Sequence, residues 1–286
     1  MEVETPALVG APAPEPSIET FRIPSAGFSA STPGKRHDLF LAPSPELAMK
    51  RLLAQGMDRI FQITHVFRKE ERGGLHLPEF TMLEWYRVGC DYLALMDDCE
   101  SLLPAAAMVV RDDFVVPLPG GGACSVEPPF HRLAVNEAFE RYAGWVPGPC
   151  PDPDRFDMDM VEKVEPNLPV DRPLFLMDYP ASMASLARLK PNNPEVAERV
   201  ELYAGGMELA NGFSELNDPE EQARRFRTDM ERRRELGLQA YPMPEDFLRD
   251  LSRMPPAAGM AMGIDRLMMF LLGVRDIGEV VALIPD

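Results

Sequence analysis

Cysteine is scarce in this sequence: four residues, Cys90, Cys99, Cys124 and Cys150, none of them in a C-x-x-C pair. That is too sparse for a disulfide scaffold, and a reducing cytoplasm fits best. Positive charge is also in short supply, with 29 Lys and Arg against 46 Asp and Glu and a net charge of −17. Affinity for nucleic acid comes largely from neutralising phosphates, so this balance argues against broad electrostatic binding, while a local basic groove stays open. Long apolar runs are missing too. No stretch is long enough to span a bilayer and no signal peptide is read, so the expectation is a soluble, cytoplasmic protein with no membrane partner.

What is present is 286 residues, enough for one large domain or two small ones with an ample core. The opening "MEVETPALVG" alternates like a strand at Val3 and Thr5 and is stopped by Pro6. Residues 11–36 are rich in Pro, Ser and Gly and read as loop, with one short strand near "IETFRI". "DLFLAPSPELAMKRLLAQG" reads as strand, turn and helix, with Ser44 as N-cap, Pro45 in the first position and Gly56 just beyond the end. A helix is expected over 91–103. Residues 104–170 form a Pro- and Gly-rich, insertion-like segment, with short helices such as "AVNEAFERYAG" and no legible function.

Further on, "ERVELYAGGMELANGFSEL" is a strand pair turning at Gly205-Gly206. "NDPEEQARRFRTDMERRRELG" is a punctuated helix: Asp218 caps it, Pro219 sits in the first turn, Glu221 completes a capping box and Gly237 closes it. "GMAMGIDRLMMFLLG" joins a glycine-rich strand to a helix with apolar residues at helical spacing, and "EVVALIP" reads as a last strand. Antiparallel strands flanked by helices make the fold α+β rather than a doubly wound parallel sheet.

The stretch "FRKEERGGLHLPEFTMLEWYR" carries the chemistry. "FQITHVFRKE" and "FTMLEWYR" are rich in β-branched and aromatic residues around Gly73 and Gly74, which predicts a long-looped antiparallel hairpin. Side chains alternate across a strand, so Arg68 and Glu70 point one way on the first arm and Glu84 and Tyr86 point together on the second. Thr81, Leu83 and Trp85 are then expected to face the core. Alone, such charges more often mark a solvated edge with cross-strand ion pairs. Elsewhere, Glu201, Glu208 and Glu215 recur every seven residues around a Gly-Gly turn. Gly259 and Gly263 let backbone approach a ligand, and Arg266 stands at a helix start where a phosphate could bind, although close packing explains the glycines equally well.

Together these pieces resemble one family, the class II aminoacyl-tRNA synthetases. The hairpin is similar to their motif 2, "GMAMGIDRL" to motif 3 and "VETP" to the tail of motif 1. "APSPELAMKRLL", "HLPEFTMLEWYR" and "ELANGFSELNDPEEQARRF" narrow the resemblance to the lysyl branch. Within it, "YPASMASLA", "GMELANGFSEL" and "PEFTMLEWYR" are similar to the truncated paralogues that ligate lysine to elongation factor P. The resemblance covers the chain apart from its middle segment. It implies a single catalytic domain over 1–286, an antiparallel sheet flanked by helices, without an anticodon-binding barrel and without the motif 1 helix, and so only a possible homodimer. It also implies ATP and Mg2+, an aminoacyl-adenylate, and transfer to an acceptor amine on elongation factor P, with tRNA an unlikely partner.

The roles the resemblance implies are these. Arg68 contacts the α-phosphate, Glu70 the adenine amino group, and Phe80 stacks on the base; Arg266 covers the other face near the γ-phosphate, and Arg68 and Arg266 are the catalytic pair. His76, Glu208, Leu209 and Gly263 complete the ATP set. Glu201 and Glu208 resemble the metal ligands. Ser44, Glu46, Glu84, Tyr86, Asn211, Glu215 and Ala261 form the amino-acid set, with Glu46 at the amino end and Glu215 and Tyr86 at the side-chain ammonium. Carboxylates gathered in this number repel one another unless cations neutralise them, which suits lysine or (R)-β-lysine with magnesium. Lysyl-tRNA synthetases typically carry glycine where Ala261 stands, and the paralogues carry alanine, associated with a preference for (R)-β-lysine. The sequence departs from the family at Leu77, where asparagine is common. A tRNA-charging enzyme and a non-catalytic ligand-binding paralogue remain as alternatives.

Overall fold

The computed structural model describes residues 1–28 and 36–284. The chain begins with strands β1 (Leu8–Val9), β2 (Arg22–Phe28) and β3 (Arg36–Leu41), helix α1 (Glu46–Ala54), and strands β4 (Arg59–Phe67) and β5 (Glu79–Val88). Helix α2 (Tyr92–Arg111), β6 (Val115–Pro117), β7 (Ala123–Ser125), β8 (His131–Ala134), α3 (Val135–Tyr142) and α4 (Pro153–Asp159) follow. The rest is β9 (Leu174–Pro180), β10 (Leu189–Lys190), β11 (Asn193–Ala204), β12 (Met207–Ser214), α5 (Pro219–Glu235), α6 (Glu245–Leu251), β13 (Ala257–Gly263) and α7 (Ile264–Leu272). The α+β reading holds: antiparallel pairs dominate and helices flank them.

Two compact units are present, one formed mainly by Met1–Val88 and Asn217–Pro255, the other by Gly89–Leu216 and Pro256–Ala282. In the first, β3 pairs with β1 on one side and β2 on the other. Pro45 rather than Ser44 stands at the N-cap of α1, one residue later than expected, although the Ser44 hydroxyl accepts the Glu46 N–H at 2.9 Å; Gly56 lies just past the end of α1, as expected, at φ +99°. β4 and β5 form the expected hairpin, in register from Arg59 opposite Arg87 to Phe67 opposite Glu79. Residues 1–3 lie parallel beside β4, with the Phe61 N–H on Met1 O and the Val3 N–H on Phe61 O.

Asp218 caps α5 through the N–H groups of Glu220 and Glu221. The second half of the expected capping box gives way, because the Glu221 carboxylate is drawn to Arg224 and Arg225 instead. The Pro-rich stretch before β2 is pinned by Arg233 of α5, only 1% exposed, which donates to Glu15 O and Ile18 O and pairs with Glu19. Arg51 of α1 pairs with Asp250 of α6 at 2.7 Å.

In the second unit the sheet order is β13-β12-β11-β9-β8, antiparallel except between β8 and β9. The β11–β12 hairpin turns at Gly205 and Gly206 with φ +59° and +82°, the pair of positive values that a two-residue turn of this hand requires. Helix α2, capped by Asp91, continues past its expected end at 103 to Arg111. Pro104 removes one helical bond, while burial of Leu103 and Ala107 holds the helix across it. Residues 104–170 also contribute to the core: Val135, Ala138, Phe139, Phe156, Met160 and Val164 pack with Leu174, Leu176 and Tyr179 of β9. The last strand expected at "EVVALIP" is absent from its described residues, 279–284, which bend after a single 3-10 turn. Leu283 and Ile284 are exposed there. No helix among the described residues is long and apolar enough to cross a membrane.

Candidate active site

The first unit gathers Ser44, Glu46, Glu84 and Tyr86. Along β5 the buried residues are Met82, Glu84 and Tyr86, while Thr81, Leu83 and Trp85 are only half-buried. This corrects the expected facing. An ionisable Glu84 can lie inward, 1% exposed, because both its oxygens are served. The Ser44 hydroxyl donates to Oε1 at 2.6 Å and the Tyr86 hydroxyl to Oε2 at 2.8 Å. Burial first, and the Glu46 carboxylate second, push the Glu84 carboxyl up to about 7, against the pull of both hydroxyls and of Lys50. Lys50, one turn along α1 from Glu46, binds its Oε1 at 2.5 Å.

Arg68 and Glu70 lie just beyond the strand rather than on it. The Arg68 N–H still donates to Pro78 O at 2.9 Å, but proline has no N–H to return, and the ladder stops there. Arg68 reaches Glu71 at 3.1 Å and sits 5.3 Å from the centre of the Phe80 ring. Glu70 is exposed beside Lys69, and His76 closes a tight turn with Gly73. Leu77, the departure from the family pattern, is buried.

The second unit gathers Glu201, Glu208, Leu209, Asn211, Ala261, Gly263 and Arg266. Glu201 lies opposite Asn211, and Asn211 opposite Ala261, so the three form a row across β11, β12 and β13. A register shift sets Tyr203 opposite Glu208 and leaves Leu209 as the unpaired extra residue. The bulge brings Glu208 and Asn211, an odd number of residues apart, to the same face as Glu201. Arg266, in the first turn of α7, donates from Nη1 to Glu208 O at 3.0 Å and to Glu208 Oε2 at 3.2 Å. Lost hydration and the neighbouring Glu201 raise the Glu208 carboxyl above its ordinary range, against Arg266 and Arg199. Glu215 is 1% exposed on the strand exit, its N–H on Ala257 O.

No group of three or more His, Cys, Asp or Glu forms a metal cage among the described residues. Magnesium asks less: one or two carboxylates plus substrate phosphates. Glu201 and Glu208, on one face and each opposing the other's charge, fit that requirement.

Three residues of this unit escaped the sequence reading. Arg199 donates to Glu201 Oε1 at 2.9 Å and to Asn211 Oδ1 at 3.4 Å, and stacks 4.5 Å over the Tyr179 ring. The Tyr203 hydroxyl lies 3.0 Å from Glu201 Oε2 and 3.1 Å from Glu165 Oε1. Strand alternation puts residues 199, 201 and 203 on one face and could have found two of them; Glu165 carries no such signal.

Residues 1–285 match the family described as tRNA synthetases class II (D, K and N). The elongation factor P–(R)-β-lysine ligase of Vibrio atlanticus (strain LGP32) is 40% identical over 293 residues, covering 99% of this chain and 88% of that protein. The ligase of the same name from Pseudoalteromonas translucida (strain TAC 125) is 38% identical over 292 residues, again 99% and 88%.

Proposed function

This chain belongs to the class II tRNA synthetases of the D, K and N group, and from that premise we propose that it activates lysine or (R)-β-lysine with ATP and transfers it to a lysine side chain of elongation factor P. The observation that carries this reading is the nearly end-to-end match with ligases of that name. In the first step the amino-acid carboxylate attacks the α-phosphorus; the bond to the β-phosphate breaks, leaving the aminoacyl-adenylate and pyrophosphate. In the second, the neutral acceptor amine attacks the acyl carbon, AMP leaves with the bonding electrons, and the amine gives up a proton as the amide forms.

In the first unit Arg68, and in the second Arg266, each offers the planar, paired donors that suit phosphate, where charge develops. In the first unit Glu70 accepts from the adenine amino group, Phe80 stacks on the base and His76 adds a nucleotide contact; in the second, the family resemblance assigns Leu209 and Gly263 to the nucleotide. Glu201 and Glu208 would hold magnesium, which neutralises phosphate charge. In the first unit Glu46, Glu84 and Tyr86, with Ser44, offer acceptors for an ammonium group; in the second, Glu215, Asn211 and Ala261 are the residues that the family resemblance assigns to the amino acid. An acidic set of this kind suits a substrate with two cationic ends.

ATP–pyrophosphate exchange with α-lysine and with (R)-β-lysine tests the first step. Exchange with (R)-β-lysine exceeding that with α-lysine is expected, and no exchange with either overturns the proposal. The family description itself favours a second reading, the charging of tRNA. The net charge of −17 weighs against it, and the choice of acceptor decides.

A further inference from the structure

Lys50 is 1% exposed, a degree of burial that lysine rarely reaches unless paired. Its packing role could be filled without a charge. Met49 and Leu53 already bury the apolar side of α1, and Arg51 with Asp250 already ties α1 to α6. A methionine at 50 would fill the same space without the desolvation of an ammonium. The charge is therefore aimed at something, and its surroundings say what.

Lys50 Nζ binds Glu46 Oε1 at 2.5 Å and bears electrostatically on Glu84. Ser44 joins the two carboxylates, accepting the Glu46 N–H and donating to Glu84 Oε1. Among the described residues, the groups facing Glu84 within this unit include Glu46 and Lys50 from α1, Ser44 before it, and Tyr86 on its own strand. Gln62 lies opposite Glu84 on β4 and is uncharged. Lys50 thus offsets part of the charge that the two carboxylates place side by side.

We propose that Lys50 is the built-in counter-ion of the amino-acid subsite: it fixes the Glu46 carboxylate and sets the Glu46–Glu84 pair to accept one primary ammonium. Lys50 is a positioning residue, not a catalytic one, and the inference rests on the reading of Glu46 and Glu84 as ammonium acceptors. Without Lys50 the Glu46 charge bears on Glu84 with nothing from Lys50 to offset it, so the ionised Glu84 that binds substrate becomes scarcer near neutral pH.

The test is exchange kinetics of Lys50→Met between pH 6 and 9. The acid limb of 1/KM for the amino acid is expected to move up by about one pH unit, so that this KM rises about fivefold at pH 7 and about tenfold at pH 6, with the KM for ATP within about twofold of wild type. Glu46→Gln/Lys50→Met, which removes both charges together and so keeps burial balanced, is expected to bind the amino acid no more weakly than Glu46→Gln alone. The inference falls if Lys50→Met leaves the amino-acid KM and its acid limb in place, or raises both KM values alike. It falls equally if the double variant binds the amino acid more weakly than Glu46→Gln alone, a comparison that stands even where Lys50→Met alone fails to fold. Absence of exchange by the wild type with either amino acid would instead remove the functional reading and the inference with it.

Discussion

Ser44 donates its hydroxyl to Glu84 at 2.6 Å while accepting the N–H of Glu46, so the residue that leads into one helix doubles as the support of a buried carboxylate. That support is incomplete, since the Glu84 carboxyl still stands at about 7 against an ordinary 4.5. The folded state therefore holds a proton between those values that the unfolded chain has lost, and stability declines as pH rises through that window. Glu84→Gln is expected to stabilise the fold at pH 8 by about 1–3 kcal/mol, with the gain vanishing near pH 4, while abolishing exchange. Urea unfolding midpoints at the two pH values check this; a lower midpoint for the variant at pH 8 contradicts it.

Arg266 holds both the main chain and the side chain of Glu208. Its guanidinium is thus oriented before substrate arrives. Arg266→Ala is expected to lower exchange about 10²–10³-fold, the usual cost of one lost donor to developing charge. Arg266→Lys should recover little of this, because an ammonium cannot reproduce the planar fork. Recovery to within a few-fold of wild type would show that charge alone suffices.

The Tyr203 hydroxyl has one proton and two carboxylates within reach, Glu165 and Glu201. On the proposed reading it steadies Glu201 as a metal ligand. Tyr203→Phe is expected to raise the magnesium concentration for half-maximal exchange about 10–100-fold, the scale of losing an outer-shell partner. An unchanged magnesium requirement would place Tyr203 outside the metal's support.

Ala261 stands directly opposite Asn211 in the row that continues to Glu201. A methyl group in a binding site is worth only about 1–3 kcal/mol. Ala261→Gly should shift the ratio of exchange rates toward α-lysine and away from (R)-β-lysine by about tenfold or more. A ratio that does not move would make the methyl a packing atom.

The hairpins, caps and α+β class were legible because each has a local cause: alternation in β4 and β5, positive φ at Gly205 and Gly206, the Asp218 side chain on its helix. The buried direction of β5 was not, because it depends on Ser44 and Lys50, both distant in sequence, satisfying Glu84. The shared face of Glu208 and Asn211 depends on the bulge at Leu209, and nothing in the alternation announces it. β8 was lost in a Pro- and Gly-rich stretch whose order comes from pairing with β9 and packing around Phe139. The missing last strand teaches the converse: "EVVALIP" has the composition of a strand and, in its described residues, no ladder to join.

The central claim is the acceptor. Labelled (R)-β-lysine and ATP supplied to the protein together with purified elongation factor P and, separately, with lysine tRNA measure it most directly. Label that enters elongation factor P as a hydroxylamine-resistant amide, with none on tRNA, is the predicted result; label on tRNA and none on the protein would contradict it.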